Sequence, residues 1–521
     1  MTIALYLVAV AQFYIPGKGF SYLISFGSKN ETTRIAALRQ LNYYVEPDSD
    51  GYDAQYYAQI AMDPTLRAPD LKNAIDSLPY RARRIFFSAT AYVSGCGRPA
   101  WILQAYALQN VVCWLLLAGV LCHWFPPTSW GHFGRWLGVL ASFGLCVSVR
   151  NALVDGPSLL LLALGAVAIE RGRSWLGTAI LGVSGLGKET NLLGAAALLR
   201  PEARTWAEWR RIVFQGILVG APLFLWLIYL RQAAGPVADL GARNFDWPLV
   251  AFARKWAGVL PELMRAETWQ SGIASAGAFW SLLMLVAVTV QFGFLVLRPQ
   301  PQAPLWRIGI SFAVLMLVLG DAVWEGFPGA ASRVLLPLQL AFNVLVPGGR
   351  RWWLILVLGN LTMLNAPIAL EPPSYDGCRL DGPGELLTAT DGRQVRVRFE
   401  SGWYDVEHQR QHYWRWSQGD AVLRIDNPHA FPVEARLRCT VRGAEARTLR
   451  ILDGSGAVRW QGAIAKAPIE IEGLAIHLLP GENRLRFVTD KPPVHLTNDD
   501  PRLLAFYVKD CSVDVQRTAA P

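Results

Sequence analysis

Residues 100–122 read AWILQAYALQNVVCWLLLAGVLC, without a single lysine, arginine, aspartate or glutamate. Wound as a helix at 1.5 Å per residue, the stretch is about 34 Å long, enough to cross the ~30 Å hydrocarbon layer of a bilayer. It is one of about eleven apolar runs between positions 2 and 370, among them 2–15, 212–229 and 274–297, several of them short of the ~20 residues a straight span needs. Composition agrees, since 52% of the 521 residues are hydrophobic, 17% are charged and the mean hydropathy is +0.25, where a soluble domain carries about 25% charged residues. The first run has no basic flank and no small-residue cleavage site, and is expected to stay as a helix. Residues 1–370 are therefore predicted to form an α-helical polytopic membrane domain of about eleven transmembrane helices, with a first outer loop over 16–99.

Beyond position 370 the period changes from helical to two. Val395-Arg396-Val397-Arg398-Phe399 and Val433-Glu434-Ala435-Arg436-Leu437-Arg438-Cys439 alternate apolar and polar residues, and Asp453-Gly454 is a hairpin signal. Residues 371–521 are predicted to be an all-β sandwich domain. Cys378 and Cys511 flank it and are expected to be joined in an oxidising compartment.

Arginines set the orientation, because cytoplasmic connections are enriched in Lys and Arg. Arg135, Arg171, Arg173, Arg200, Arg298, Arg307, Arg350 and Arg351 fall in alternate loops, which are assigned to the cytoplasm. The opposite loops, 16–99 and the β domain are then extracytoplasmic, on the periplasmic side of an inner membrane. The net charge of +9 reflects this topology, and no basic-aromatic module for nucleic acid is present. Charges left on the outer side occur with an acid nearby: Arg150 with Asp155, Lys188 with Glu189, and Arg333 with Glu325. Charges at membrane depth are costly and usually have a partner or a task. Helix-end ion pairs would explain each singly, whereas their convergence on one face suits a substrate site.

Gly182 to Glu189 has nearly the spacing of a phosphate-binding P-loop, but Glu189 stands where a magnesium-binding hydroxyl is required, and the context is two apolar helices. It is read instead as a helix end presenting Lys188 and Glu189.

Residues 50–64, DGYDAQYYAQIAMDP, follow the first run. Tyr56, Tyr57, Ile60 and Ala61 recur at helical spacing until Pro64, which predicts an amphipathic helix lying on the membrane. Asp53 has two readings, an N-cap or a general base at the mouth of a cavity. Then comes Pro79-Tyr80-Arg81-Ala82-Arg83-Arg84, whose arginines suit a lipid phosphate.

Together, DGYDAQYYAQIAMDP, LPYRARR, ALVDGPS, GKETNLL and AASRVLLP make residues 1–370 resemble the GT-C superfamily of integral-membrane glycosyltransferases. The resemblance implies an acid of the first outer loop that deprotonates the acceptor, and a sugar donor carried on a polyprenyl phosphate. Asp53 is then the base and Asp50 a second acid. Arg81, Arg83, Arg84, Lys188 and Arg333 are candidates for the donor phosphate, with Tyr56, Tyr57, Tyr80, Arg150, Asp155, Glu189 and Glu325 as further substrate-binding candidates. The acid spacing, D-x-x-D, is wider than the family's frequent closer pair and leaves the use of a divalent cation, Mg or Mn, open. The acceptor is expected to be a cell-envelope glycan, lipid or protein. Trp403, Tyr404, Tyr413, Trp414 and Trp416 of the β domain either stack on sugars or fill its core. His408 and His412 beside Glu407 lack a third metal ligand. A transporter or lipid flippase, or a non-catalytic scaffold, would also use paired charges within helices, but a transporter is expected to show two related halves, and no internal repeat is present.

Overall fold

The computed structural model describes residues 2–236, 241–264, 273–326, 329–371, 377–409, 412–496 and 500–517. They form two compact units, one of Met1–Val10 with Asp53–Glu371, the other of Ala11–Tyr52 with Pro372–Pro521.

The first unit is helical. Three of its helices are long and apolar enough to cross a membrane: Pro99–Leu121, Trp206–Ala234 and Gly277–Leu297. Pro99 starts the first, where a missing N–H costs nothing. A reciprocal capping box between Thr205 and Glu208 starts the second. Two further spans result if each bent pair is counted as one, Trp130–Leu140 with Phe143–Arg150 at 47°, and Arg350–Leu358 with Leu361–Ala369 at 49°. At the first bend the Ser142 hydroxyl donates to the Val139 carbonyl at 2.8 Å. Of the predicted runs, therefore, three to five meet the length of a span among the described residues. One shorter helix, Leu336–Leu345, is buried almost all round, as befits a helix enclosed by protein rather than lipid.

The helices Asp155–Glu170 and Ser174–Gly187 pack as a hairpin. Small residues let them approach closely: a Cβ on Gly177 would lie 2.5 Å from Ile169 Cγ1 and 3.1 Å from the Gly165 carbonyl. Because the second helix returns along the first, its following residue, Lys188, arrives beside the residue that opened the hairpin, Asp155.

Cys96 and Cys122 sit just outside the two ends of Pro99–Leu121, and both are exposed. If that helix crosses the membrane with its N-terminal end outside, a membrane-impermeant maleimide should label Cys96 in intact cells and Cys122 only after permeabilisation. The reverse labelling would invert the topology.

The second unit is β-rich. Its first segment contributes two short parallel strands, β1 (Phe26–Gly27) and β2 (Val45–Glu46). The rest supplies β3 (Cys378–Asp381), β4 (Arg396–Phe399), β5 (Glu407–Gln409), β6 (His412–Trp416), β7 (Ala421–Asn427), β8 (Val433–Gly443), β9 (Arg447–Leu452), β10 (Val458–Ile464), β11 (Ile469–Leu478), β12 (Gly481–Thr489) and β13 (Phe506–Gln516). One sheet runs β10-β9-β12-β7-β4 and the other β11-β8-β13-β6-β5, antiparallel throughout, with β3 added parallel to β13. In β8 the alternation is complete: Val433, Ala435, Leu437, Cys439 and Val441 point inward, with polar residues between them. Side chains of both sheets, including Leu437, Ile451, Phe487 and Val513, share one core, which makes this a sandwich. The predicted turn at Asp453 joins β9 to β10, with the Asp453 carboxylate accepting from the Ser455 and Ala457 amides.

The first outer loop is split between the units at Tyr52/Asp53. Its first half belongs with the sandwich: Glu31, fully buried, pairs with Arg396 and accepts from the Gln394 amide at 3.1 Å, while Asn42 donates to the Leu380 carbonyl at 3.0 Å.

Cys378 and Cys511 stand directly opposite each other on β3 and β13, their sulfurs 3.4 Å apart and not joined. Protein recovered from an oxidising compartment should yield the cross-linked peptide in a non-reducing digest, and reduction should lower stability by about 2–4 kcal/mol. Two alkylatable thiols at these positions would end that expectation.

Candidate functional site

Asp53 immediately precedes the helix Ala54–Met62, yet its side chain makes no capping hydrogen bond. Its backbone is already helical, so the carboxylate is not aimed at the orphan amides of the first turn. It meets Arg81 instead, with Oδ1 2.9 Å from Nη1. Arg81 is held from the other side by Asp76, whose carboxylate receives Nε at 3.0 Å and Nη2 at 2.7 Å. Asp76 escaped the sequence reading, and its only signal was its place five residues before Arg81. The Asp53 side chain stays 31% exposed.

The helix itself departs from the expectation of an amphipathic surface helix. Ala54, Gln55, Tyr57, Ala58, Gln59, Ile60 and Ala61 are all buried, because it packs on Ile85–Ser94 and Pro99–Leu121. Its polar positions are satisfied internally: Gln59, for example, donates to the Ala74 carbonyl at 3.3 Å. Asp63 ends it by accepting from the Thr65 hydroxyl and from the Thr65, Arg67 and Ala68 amides, the amides at 2.6–3.1 Å; against the effect of burial, the hydroxyl and then the amides hold its carboxyl below the usual range.

The remaining arginines continue the network. Arg83 lies 4.3 Å above the Tyr80 ring, and Arg81 5.0 Å from that of Tyr56. Arg84 donates to the Tyr57 hydroxyl at 2.9 Å and to Glu189 at 2.9 Å, and Arg83 reaches the other oxygen of Glu189 at 3.2 Å. Burial disfavours the charge on Arg84, but the Glu189 carboxylate more than offsets it and holds its pKa well above the ordinary guanidinium value. Burial pushes the Tyr57 hydroxyl upward, so it stays protonated.

Behind these lies a triad of near-complete burial. Asp155 is 5% exposed and receives Lys188 Nζ at 2.6 Å on one oxygen and Arg333 Nη1 at 3.0 Å on the other. The predicted pairing of neighbours in sequence is thus replaced. Lys188 has extended backbone, φ −161° and ψ 126°, and Glu189 opens the following 3-10 helix, so the two side chains diverge to different partners. Glu325 pairs with Lys255 at 2.5 Å, not with Arg333. Arg150 ends the helix Phe143–Arg150 and is half-buried. Asp50 belongs to the other unit, where it is exposed and paired with Lys29 at 3.0 Å. Gly182–Gly187 is continuous helix, so no glycine loop is available there to cradle a phosphate.

Within the sandwich, Trp403 is buried against Phe399, Phe487 and Phe506, and Trp416 is buried beside Tyr507. Both belong to the core reading of the aromatic stretch. Tyr404, Tyr413 and Trp414 are partly exposed, His412 lies 2.7 Å from Asp510, and residues 410 and 411 lie outside the described residues. No group of three His, Cys, Asp or Glu suited to a metal occurs among the described residues.

No family model matches the chain, and no curated protein matches it. Among solved structures it is similar to the arabinosyltransferase EmbB from Mycobacterium smegmatis, at 12% identity and a TM-score of 0.26 over 98% of this chain. The chain spans 64% of the length of that structure.

Proposed function

We propose that the chain is a membrane glycosyltransferase of the GT-C kind, moving a sugar from a polyprenyl-phosphate donor to a cell-envelope acceptor outside the membrane. The observation that carries this reading is the carboxylate of Asp53. It is free of capping duty, open to solvent, and anchored to the first of three arginines that continue through Glu189.

In this reaction the acceptor hydroxyl gives its proton to Asp53 as its oxygen attacks the anomeric carbon from the side opposite the phosphate. The new C–O bond forms as the bond to the phosphate oxygen breaks, and configuration inverts. Arg81 holds the Asp53 carboxylate in place and, with Arg83 and Arg84, faces the charge that gathers on the departing phosphate. The Asp155–Lys188–Arg333 triad is too enclosed to meet substrate from the present arrangement and acts as the positioning layer beneath.

The test is transfer by the purified chain from a panel of polyprenyl-phosphate sugars to envelope glycans or lipids. Turnover with any donor supports the proposal and excludes a scaffold. A chain that moves labelled polyprenyl phosphate across vesicles without transferring sugar would replace it with a flippase.

A further inference from the structure

Two neighbouring cavities lie in the helical unit, and no residue of the candidate site lines either of them. One, of about 560 Å³, is lined mostly by apolar groups, among them Ile3, Phe125, Phe133 and Trp136. The other, of about 650 Å³, is lined by His132, Arg135, Arg350, Trp352 and Trp353, and no carboxylate lines it. Phe125 and Ser129 belong to both walls, so the two are continuous in lining. An apolar compartment beside a cationic one matches an amphiphile with an anionic head.

The cationic compartment is built rather than incidental. Arg135 is buried and spends its guanidinium on backbone, donating to the carbonyls of Asn343 at 3.1 Å, Pro347 at 2.8 Å and Val346. It thereby fixes residues 343–347, which lead directly to Arg350. Its charge meets dipoles, not an acid, and remains uncompensated by any lining group. Glu170, bonded to Trp124 at 2.8 Å and beside His123, is already engaged outside the lining. Exposed Trp130 and Trp353 stand at the rims, where indoles favour the membrane–water boundary. Both segments come from loops whose arginines assign them to the cytoplasm, the side on which bilayers carry anionic lipid.

We infer that this pair of cavities binds one anionic phospholipid of the cytoplasmic leaflet, its phosphate toward Arg350 and His132 and an acyl chain between Phe125, Phe133 and Trp136. The inference does not depend on the glycosyltransferase reading.

Native mass spectrometry of the full chain in neutral detergent, titrated with phosphatidylglycerol, phosphatidylcholine or glycerol 3-phosphate, tests it. Phosphatidylglycerol should be retained at concentrations where phosphatidylcholine is not, and Arg350→Glu should weaken it about fivefold or more, as expected for a cation beside an anionic lipid. On the unaltered chain, a phosphatidylglycerol with a diazirine in its acyl chain should cross-link within residues 125–136. Equal retention of the two lipids, unchanged retention by Arg350→Glu, or cross-links elsewhere would overturn the assignment. Displacement of the lipid by equimolar glycerol 3-phosphate would also overturn it, since a phosphate site would then need no chain.

Discussion

Asp53→Asn should lower sugar transfer by about 10²–10⁴-fold, the usual contribution of a positioned base, while leaving the protein folded. The amide has nearly the same size but cannot accept the acceptor's proton at neutral pH. Stability should change little, because Asp53 makes no capping bond and Arg81 retains Asp76 at 2.7 Å. The lost ion pair is partly exposed and worth roughly 0–1 kcal/mol. Initial rates at saturating donor, read beside a melting curve in detergent, separate the two effects. Near-normal turnover of a folded Asp53→Asn variant would falsify the base assignment.

Asp155→Ala should act in the opposite way, on the fold first. It strands Lys188 and Arg333, both buried, without their shared carboxylate. Breaking such an arrangement from one side costs about 3–5 kcal/mol, because the remaining charges stay in a poor solvent. The melting temperature and the yield of monodisperse protein should both fall sharply. Removing all three charges together, as Asp155→Leu with Lys188→Met and Arg333→Leu, should recover much of the loss. A single Asp155→Ala variant as stable as the parent would show that water reaches the triad.

The contrast between these residues shows what the sequence could and could not reveal. The strands were legible because a two-residue period and a buried face impose each other: in β8 every alternate residue obeys. The long spans were legible because an uncharged run of about 20 residues has few other uses. Shorter runs were ambiguous, since a helix such as Leu336–Leu345, enclosed by protein, is as apolar as a span. The sequence showed that charges at membrane depth need partners, but which partners they take was not readable. Asp155 meets Arg333 across 178 positions, and Glu189 meets Arg84 across 105, separations set by helix packing rather than local order. The glutamines Gln55 and Gln59 of Ala54–Met62 looked like part of a wet face because sequence gives polarity, not the hydrogen-bond partner that makes a polar group tolerable inside.

The splitting of the first outer loop has a consequence in time. Glu31 leaves the ribosome 365 residues ahead of Arg396, its partner in the sandwich. At about 5–20 residues per second, the interval is roughly 20–70 s. Throughout it, residues 11–52 must wait, with a carboxylate destined for complete burial still hydrated, while the intervening helices are made. The sandwich therefore closes only after synthesis has passed through the whole helical unit, and a chain interrupted before β3 leaves the segment 11–52 without its partners Leu380, Gln394 and Arg396.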